Sequence, residues 1–250
     1  MEFRIGVEVI RVNMPDAAAL IAAARGRLRA REGFALATIN LDHLVKLRTN
    51  DAFRAAYVAQ DFIVADGNPI VWLSKLAGRG VSLVPGSDMV VPLAELAAQE
   101  GVPVALVGST PESLRAAALA LGRRASGLEI VAEIAPPMGF DPSGPGAEKV
   151  FGRIEASGAR LVFLALGAPK QEMLAARGRE RLPDVGFASI GAGLDFLAGS
   201  QMRAPRLVRA FAMEWAWRLA AAPGRFAGRY ARCAAILPGQ AVAAWRLRGC

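Results

Sequence analysis

Short apolar, β-branched runs alternate with longer stretches rich in alanine, leucine and arginine along most of the chain. The apolar runs have the length of buried strands and occupy residues 5–12, 34–39, 62–65, 102–107, 128–134, 160–166 and 185–190. Helical spacing of apolar positions extends roughly over residues 16–31, 51–60, 88–99, 111–125, 146–157 and 170–181. This alternation is typical of βαβ units. We therefore predict an α/β fold with a Rossmann-like, largely parallel sheet and helices on both faces.

One predicted helix has an identifiable start. Ser109 and Glu112 have the spacing of a capping box that opens the helix over 111–125, with Pro111 at its first position.

The composition changes near residue 200, where acidic residues almost disappear. Residues 200–250 hold nine arginines and a single acid, Glu214, so this segment carries the whole net charge of +8. Arg225, Arg229 and Arg232 have the spacing of one helical face. We predict two parts: an α/β core over residues 1–199 and an arginine-rich helical tail over 200–250.

A neutral body with a basic tail indicates an anionic partner, which is a phosphate-bearing substrate, lipid headgroups or a nucleic acid. Aromatic residues are interleaved with the tail arginines, at Phe211, Trp215, Trp217, Phe226, Tyr230 and Trp245. Arginine together with aromatic side chains favours a helix lying on an anionic lipid surface. The alternative is an ordinary solvated basic helix.

Other features limit the class of protein. No apolar run approaches the 18–20 residues of a transmembrane helix, and Glu2 and Glu8 argue against a secretory signal. Cys233 and Cys250 cannot form a disulfide framework or a zinc cluster, which favours a reduced cytosolic protein. The single histidine, His43, lies among leucines, and we interpret it as a structural or surface residue.

Small or polar residues follow five of the predicted strands. They are Thr38 and Asn40, Asp66 to Asn68, Gly108 to Thr110, Gly167 to Glu172, and Gly191 to Asp195. In open α/β sheets ligands bind beyond the carboxyl ends of the strands, where glycine lets the backbone approach and helix N-termini favour phosphate. Five such turns together predict a nucleotide or sugar-nucleotide site.

The usual cofactor signatures are incomplete. Gly191-x-Gly193 is not a full dinucleotide fingerprint, and the turn at Gly108 lacks the lysine of a P-loop. The chain contains no Asp-x-Asp, the usual carboxylate pair for a metal–diphosphate complex. We therefore expect no cofactor and no metal site, with arginines and helix N-termini neutralising any bound diphosphate.

The chain also contains a specific series of short motifs in a fixed order. It runs Thr38-x-Asn40, Ala65-Asp66-Gly67, Gly86-x-Asp88, Gly108, Gly167-x-Pro169-Lys170-Gln171-Glu172, Gly191-x-Gly193-x-Asp195-Phe196-x-x-Gly199, Arg203-Ala204-Pro205, and Glu214-Trp215-x-x-Arg218-Leu219-x-x-x-Pro223-x-Arg225-x-x-x-Arg229-Tyr230. From about residue 34 to 230 the chain resembles the WecG/TagA/CpsF family of bacterial glycosyltransferases.

The resemblance implies an inverting, metal-independent transfer of a sugar from a UDP-sugar to a polyprenyl-diphosphate-linked acceptor. The sugar would be N-acetylmannosamine, its uronate, or a sugar of the glucose or glucuronate type, and the products would feed cell-wall or exopolysaccharide synthesis. It implies a cytoplasmic protein, peripheral on the anionic inner face of the cytoplasmic membrane. No nucleic-acid partner is expected. The resemblance leaves open whether the protein forms a homo-oligomer.

The resemblance also assigns roles. Asp66 ends a strand before a glycine and becomes the general base. Thr38 and Asn40 alternate along a strand end, so both can hydrogen-bond sugar or hold Asp66. Gln171 and Glu172 open a helix, where one contacts donor and the other caps. The remaining substrate-binding candidates are Gly108, Gly191, Arg203, Arg218, Arg225 and Arg229.

One position departs from the family pattern, and two rival classes remain. Leu83 stands where the family often has an arginine, and Arg79 is the nearest basic residue before it. The rivals are a basic nucleic-acid-binding protein, suggested by a pI near 10.4, and a nicotinamide-dependent Rossmann enzyme. The missing nucleic-acid motifs and the missing fingerprint argue against them.

Overall fold

The structure is a computed structural model that describes residues 1–205, 207–208 and 211–249, without the side chain of Arg225. The strands are β1 (Glu2–Ile5), β2 (Glu8–Arg11), β3 (Phe34–Ile39), β4 (Phe62–Ala65), β5 (Val104–Gly108), β6 (Ile130–Ile134), β7 (Leu161–Ala165) and β8 (Gly186–Ser189). The helices of the core are α1 (Ala17–Arg29), α2 (Leu41–Leu47), α3 (Asp51–Val58), α4 (Asn68–Leu76), α5 (Gly86–Gln99), α6 (Pro111–Arg124), α7 (Pro145–Ser157), α8 (Lys170–Arg181) and α9 (Gly193–Ala198). The tail contains α10 (Glu214–Ala221) and α11 (Pro223–Arg246), followed by a 3₁₀ turn over Leu247–Gly249.

Six strands form one parallel sheet in the order β4-β3-β8-β7-β5-β6. This confirms the predicted α/β class, and all six strands lie within two residues of the predicted runs. The helices α2, α4 and α9 are additional. They begin in the polar turns after β3, β4 and β8, which the sequence pattern assigned to ligand-binding turns.

The first predicted strand, over residues 5–12, is wrong. This part of the chain is an antiparallel hairpin of β1 and β2, separate from the main sheet. Gly6 adopts φ +64° at the turn, a conformation that glycine takes readily, and it divides the apolar run in two. Phe3, Ile5 and Ile10 of the hairpin pack onto a core cluster that also contains Ile39 of β3.

The capping prediction for α6 also needs a correction. The N-cap is Thr110, whose hydroxyl accepts a hydrogen bond from the backbone N–H of Ser113 at 3.2 Å. Ser109 does not cap the helix because its hydroxyl instead contacts the carboxylate of Asp195.

Alternate side chains of the strands face opposite layers of helices. Phe34 and Leu36 of β3 pack in a cluster with α1, α5, α6 and α9, whereas Ala37 and Ile39 face α2, α3 and α4. Helices α7 and α8 cover the second face beyond β8, around β5 and β7. The predicted helices on both faces are therefore confirmed.

The tail helix α11 is docked on the core. Ala244 is fully buried in the cluster formed by α2, α4 and the hairpin, and Ile236, Leu237, Ala241 and Leu247 pack against that cluster. Cys233 is also buried. None of the helices within the described residues combines the length and apolar composition needed to cross a bilayer.

The strand order has a switch point between the carboxyl ends of β3 and β8. The helices that follow these neighbouring strands, α2 and α9, lie on opposite faces of the sheet, which is the arrangement that opens a ligand site in such sheets. The start of α5 also reaches this point. A Cβ at Gly86 would lie 3.0 Å from Thr38 Cγ2 and 3.2 Å from Ile190 Cα, so glycine permits the close approach.

Candidate active site

Asp66 lies at the carboxyl end of the sheet, directly after β4. Its backbone N–H donates to the carbonyl of Ile39 at 2.8 Å, which fixes the residue beside the end of β3. Its carboxylate Oδ2 accepts from Thr38 Oγ1 at 3.4 Å and from Asn40 Nδ2 at 3.3 Å. The structure thus brings these three predicted site residues together. Both hydrogen bonds are long, so the carboxylate keeps capacity to accept a proton.

The amide of Asn40 is oriented by helix α2. Asn40 is the N-cap of this helix, and its Oδ1 accepts from the backbone N–H of His43 at 3.0 Å. Because the amide oxygen is used in this way, the Nδ2 donors point to Asp66. The cap and the contact to the carboxylate are therefore made by the two halves of one side chain.

His43 supports the end of β3 from the interior. Its Nδ1 lies 2.7 Å from the carbonyl of Thr38 and 2.6 Å from the hydroxyl of Tyr57, which also donates to that carbonyl. Burial lowers the pKa of His43 to about 4, so the ring is neutral at pH 7. A neutral ring with its proton on Nδ1 satisfies these contacts. Of the two interpretations left by the sequence, His43 is therefore a structural residue and not a surface one.

Helix α10 brings a charged pair to Asp66. Arg218 Nη2 lies 2.7 Å from Glu214 Oε1, one turn apart on the helix. Burial raises the pKa of Asp66, and the Glu214 carboxylate raises it further, whereas the Asn40 hydrogen bond and Arg218 oppose the rise. Sequence reasoning did not assign Glu214 to the site. Its signal was that it is the lone acid among the tail arginines, four residues before one of them.

Gln171 joins two of the glycine turns. Its Oε1 accepts from the backbone N–H of Gly167 and of Gly191, both at 3.2 Å, so it connects the ends of β7 and β8. Its Nε2 donates to Glu172 Oε1 at 2.9 Å. Gln171 is 3% exposed and Glu172 is fully buried, so the structure places both inside the protein, behind the predicted donor-binding turns.

Glu172 is a buried carboxyl group with an unsatisfied oxygen. Its Oε2 has no hydrogen-bond partner in the described structure. Burial raises the pKa of Glu172 to about 7, although the Gln171 hydrogen bond and the Lys46 charge act in the opposite direction. Near neutral pH the Glu172 carboxyl group is therefore present in both its protonated and its ionised form.

The two glycines predicted to bind substrate differ in their surroundings. Gly108 has φ +117°, and a Cβ there would lie 2.4 Å from the carbonyl oxygen of Ala165, so the packing of β5 against β7 already requires glycine. Gly191 has φ +57° with open space where a Cβ would stand. The backbone at Gly191 is therefore the more accessible of the two.

Two tail arginines are paired with acids of the core. Arg203 contacts Asp88 of α5, and its guanidinium lies 5.6 Å from the ring centre of Phe196. Arg229 Nη2 lies 3.1 Å from Asp42 Oδ2 on α2. The side chain of Arg225 lies outside the described residues.

Arg79 lies away from the Asp66 cluster. It follows the C-terminal end of α4, whose nine residues extend about 13 Å from their start near Asp66. Burial lowers the pKa of the Met1 amino group, and the charge of Arg79 lowers it further. Leu83, which stands where the family often has an arginine, is exposed.

The chemistry that this edge of the sheet can perform follows from these contacts. A carboxylate with a raised pKa, held by a hydroxyl and an amide, can accept a proton from a bound hydroxyl group. Arginine close to it can stabilise a phosphate. Within the described ranges, the acidic, histidine and cysteine side chains form no group of three that could hold a metal ion.

The sequence model described as "Glycosyl transferase WecG/TagA/CpsF family" matches residues 4–249, nearly the whole chain. The match extends beyond the motifs to the N-terminal hairpin and to α11, and it confirms the resemblance found in the sequence.

Glu172 makes the stability of the protein depend on pH. Its pKa is about 7 in the folded protein against an ordinary value of 4.5, so the folded state binds more protons between these values and the free energy of unfolding falls as pH rises. Glu172→Gln should remove this loss, which is about 3 kcal/mol between pH 4.5 and pH 8. Urea unfolding at a series of pH values measures it.

Glu180→Gln is the matched control, because Glu180 is an exposed carboxylate on the same helix. The control should follow the wild-type pH dependence. Equal pH dependence of Glu172→Gln and wild type would show that Glu172 does not titrate in this range.

Proposed function

The chain belongs to the WecG/TagA/CpsF family of glycosyltransferases, and on that premise we propose an inverting transfer from a UDP-sugar to a polyprenyl-diphosphate-linked acceptor. Membership of the family makes the protein a glycosyltransferase of cell-surface polysaccharide biosynthesis. The donor would carry N-acetylmannosamine, its uronate or a sugar of the glucose or glucuronate type, and the product would enter a cell-wall polymer or an exopolysaccharide. The observation that carries the proposal is the buried Asp66 carboxylate at the edge of the sheet, held by Thr38 and Asn40 and within reach of the charge of Arg218 in the tail.

Asp66 would act as the general base. Its carboxylate accepts the proton of the acceptor hydroxyl while that oxygen attacks the anomeric carbon from the face opposite the leaving UDP. Thr38 and Asn40 hold the carboxylate, and their long hydrogen bonds are compatible with the gain of a proton. The raised pKa of Asp66 makes it a stronger base than an exposed aspartate.

The phosphates would be bound by backbone and arginine. The turns at Gly167 and Gly191 are fixed by Gln171, which takes the N–H groups of the two glycines, so other N–H groups of these turns would bind the donor. The charge of Arg218 acts on Asp66, and Arg203, Arg225 and Arg229 belong to the same tail. Because arginine stays charged, it can stabilise the leaving diphosphate in place of a metal ion.

The tail would also hold the enzyme on the inner face of the cytoplasmic membrane. Exposed apolar side chains precede or begin α10, at Met202, Leu207, Phe211, Met213 and Trp215, and Trp245 is exposed on α11. Such side chains beside arginines suit insertion into an anionic lipid surface. This placement would bring the site to its lipid-linked acceptor.

Transfer of radiolabelled sugar tests the reaction directly. We expect the protein, stripped of metal and kept in excess EDTA, to move label from one UDP-sugar to a polyprenyl-diphosphate-linked sugar with inversion at the anomeric carbon. A panel of UDP-sugars identifies the donor. Activity lost in EDTA and regained with Mg²⁺ or Mn²⁺ would contradict metal independence, and no transfer with any donor would contradict the reaction.

Asp66→Asn should lower turnover roughly 10²–10⁴-fold, the scale for loss of a general base. The amide keeps the shape of the side chain, so folding and UDP affinity should stay near wild type. The control is Asp184→Asn, since Asp184 is exposed before the amino end of β8. Full turnover of Asp66→Asn would exclude this residue as the base.

The acidic limb of the pH profile should respond to the charged pair on α10. Glu214 raises and Arg218 lowers the pKa of Asp66, and the base must be deprotonated to act. Glu214→Gln should therefore move the acidic limb of kcat/KM to lower pH, and Arg218→Gln should move it to higher pH. Shifts in the same direction, or none, would show that the limb does not report Asp66.

Membrane binding should depend on the exposed apolar side chains. The double variant Leu207→Ala/Phe211→Ala should weaken co-sedimentation with vesicles containing phosphatidylglycerol by about tenfold or more, given about 0.8 kcal/mol per buried methylene. Leu119→Ala on α6 is the control, because Leu119 is also exposed but lies outside the tail. Equal binding of the double variant and wild type would exclude this surface.

A further inference from the structure

Two cations converge on one carboxylate at the boundary between the core and the tail. Asp42 Oδ2 lies 2.8 Å from Lys46 Nζ and 3.1 Å from Arg229 Nη2. Asp42 is 7% exposed, whereas the side chains of Lys46 and Arg229 are 36% and 33% exposed. The cluster is therefore buried on the side of the carboxylate and reaches solvent on the side of the cations.

The cluster connects three separate parts of the chain. Asp42 and Lys46 are one turn apart on α2, and Arg229 is on α11. Lys46 Nζ also donates to the carbonyl of Ala168 at 3.2 Å, in the turn between β7 and α8. Through Asp42 and Lys46 the cluster thus links α2, the tail and the turn that precedes Gln171.

The cluster is joined to the reaction centre through α2. Asn40, which donates to Asp66, is the N-cap of the helix, and Asp42 lies two residues further on. A helix of seven residues is short enough to move as one body. A change in the position of α11 would therefore be transmitted to Asn40 and from there to Asp66.

The energetics favour one arrangement. Although burial raises the pKa of Asp42, the contact with Lys46 and the charge of Arg229 hold it below its ordinary value, so the group stays ionised. The carboxylate is the buried partner of this contact, so losing Arg229 should cost more than losing an exposed surface pair. Undocking of α11 would leave Asp42 paired with Lys46 alone.

We propose that Asp42 is a positioning residue for glycosyl transfer, which holds the tail helix through Arg229 and thereby fixes the tail arginines and Asn40 relative to Asp66. The proposal rests on the proposed function for its effect on catalysis. Its mechanical part, the docking of α11, can be measured without any substrate. Arg229 on this view supports the site in addition to any later contact with phosphate.

Cys233 provides the mechanical readout. It lies one turn after Arg229 on the same face of α11 and is 7% exposed, so a thiol reagent reaches it only when the helix lifts. Cys250→Ser in every protein leaves Cys233 as the single thiol. The rate of reaction with DTNB, divided by the rate for the same variant in denaturant, gives the fraction of molecules in which α11 is undocked.

Asp42→Asn and Arg229→Gln should each raise this ratio at least tenfold. The double variant should raise it no further than the larger single effect, because both changes remove the same contact. Arg229→Lys keeps the charge and should restore part of the protection. Arg232→Gln is the matched control, since it removes an exposed arginine from the same helix and should leave the ratio at the wild-type value.

Transfer kinetics complete the test. With circular dichroism unchanged, Asp42→Asn should lower kcat at least tenfold with a smaller change in KM for the UDP-sugar, and Arg229→Lys should recover kcat relative to Arg229→Gln. Unchanged Cys233 protection in both single variants would overturn the proposal whatever the activity. Faster labelling with wild-type kcat would overturn the positioning role. A wild-type protein that transfers no sugar refutes the proposed function instead, and the labelling still decides the docking of α11.

Discussion

The register between β3 and β4 is the constraint on which the site depends. Thr38 lies opposite Val64 and Ile39 opposite Ala65, so the next residue of the chain, Asp66, donates its N–H to Ile39 and places its carboxylate beside Thr38. Side chains alternate along a strand, and a shift of one residue would turn Asp66 to the other side of the sheet. The carbonyl of Thr38 is held by His43 and Tyr57, so the interior of the protein secures the register where it matters for function.

The tail is as much a structural element as a charged surface. Arg203, Arg218 and Arg229 lie against Asp88, Glu214 and Asp42 respectively, so part of its positive charge is already matched inside the molecule. A phosphate that binds one of these arginines must compete with a carboxylate already in place. Such competition favours a ligand with two adjacent phosphates over isolated anions, because a bidentate contact replaces the lost ion pair more fully.

The sequence predicted the parts of the site that follow from strand ends. Asp66, Thr38 and Asn40 could be placed together because the carboxyl ends of parallel strands share one edge. The burial of Glu172 could not be predicted. It depends on α3 packing against α8, where Gln60 donates to the Glu172 carbonyl at 3.2 Å across 112 residues of sequence. The contact of Arg229 with Asp42 was likewise invisible, since helical spacing shows a face but not its partner. The hairpin was missed because a single glycine divides one apolar run.

The position of α11 has a consequence for how the protein is made. The cluster that it completes contains Met1 and Phe3 at one end of the sequence and Ala244 near the other. Contacts between the first and the last helices and strands give this half of the molecule a high contact order, which slows folding. During synthesis the hairpin, α2 and α4 emerge from the ribosome long before α11, with their apolar surface uncovered. Helix α11 therefore covers this core but is translated after it, so the nascent chain carries an uncovered apolar surface until α11 has emerged.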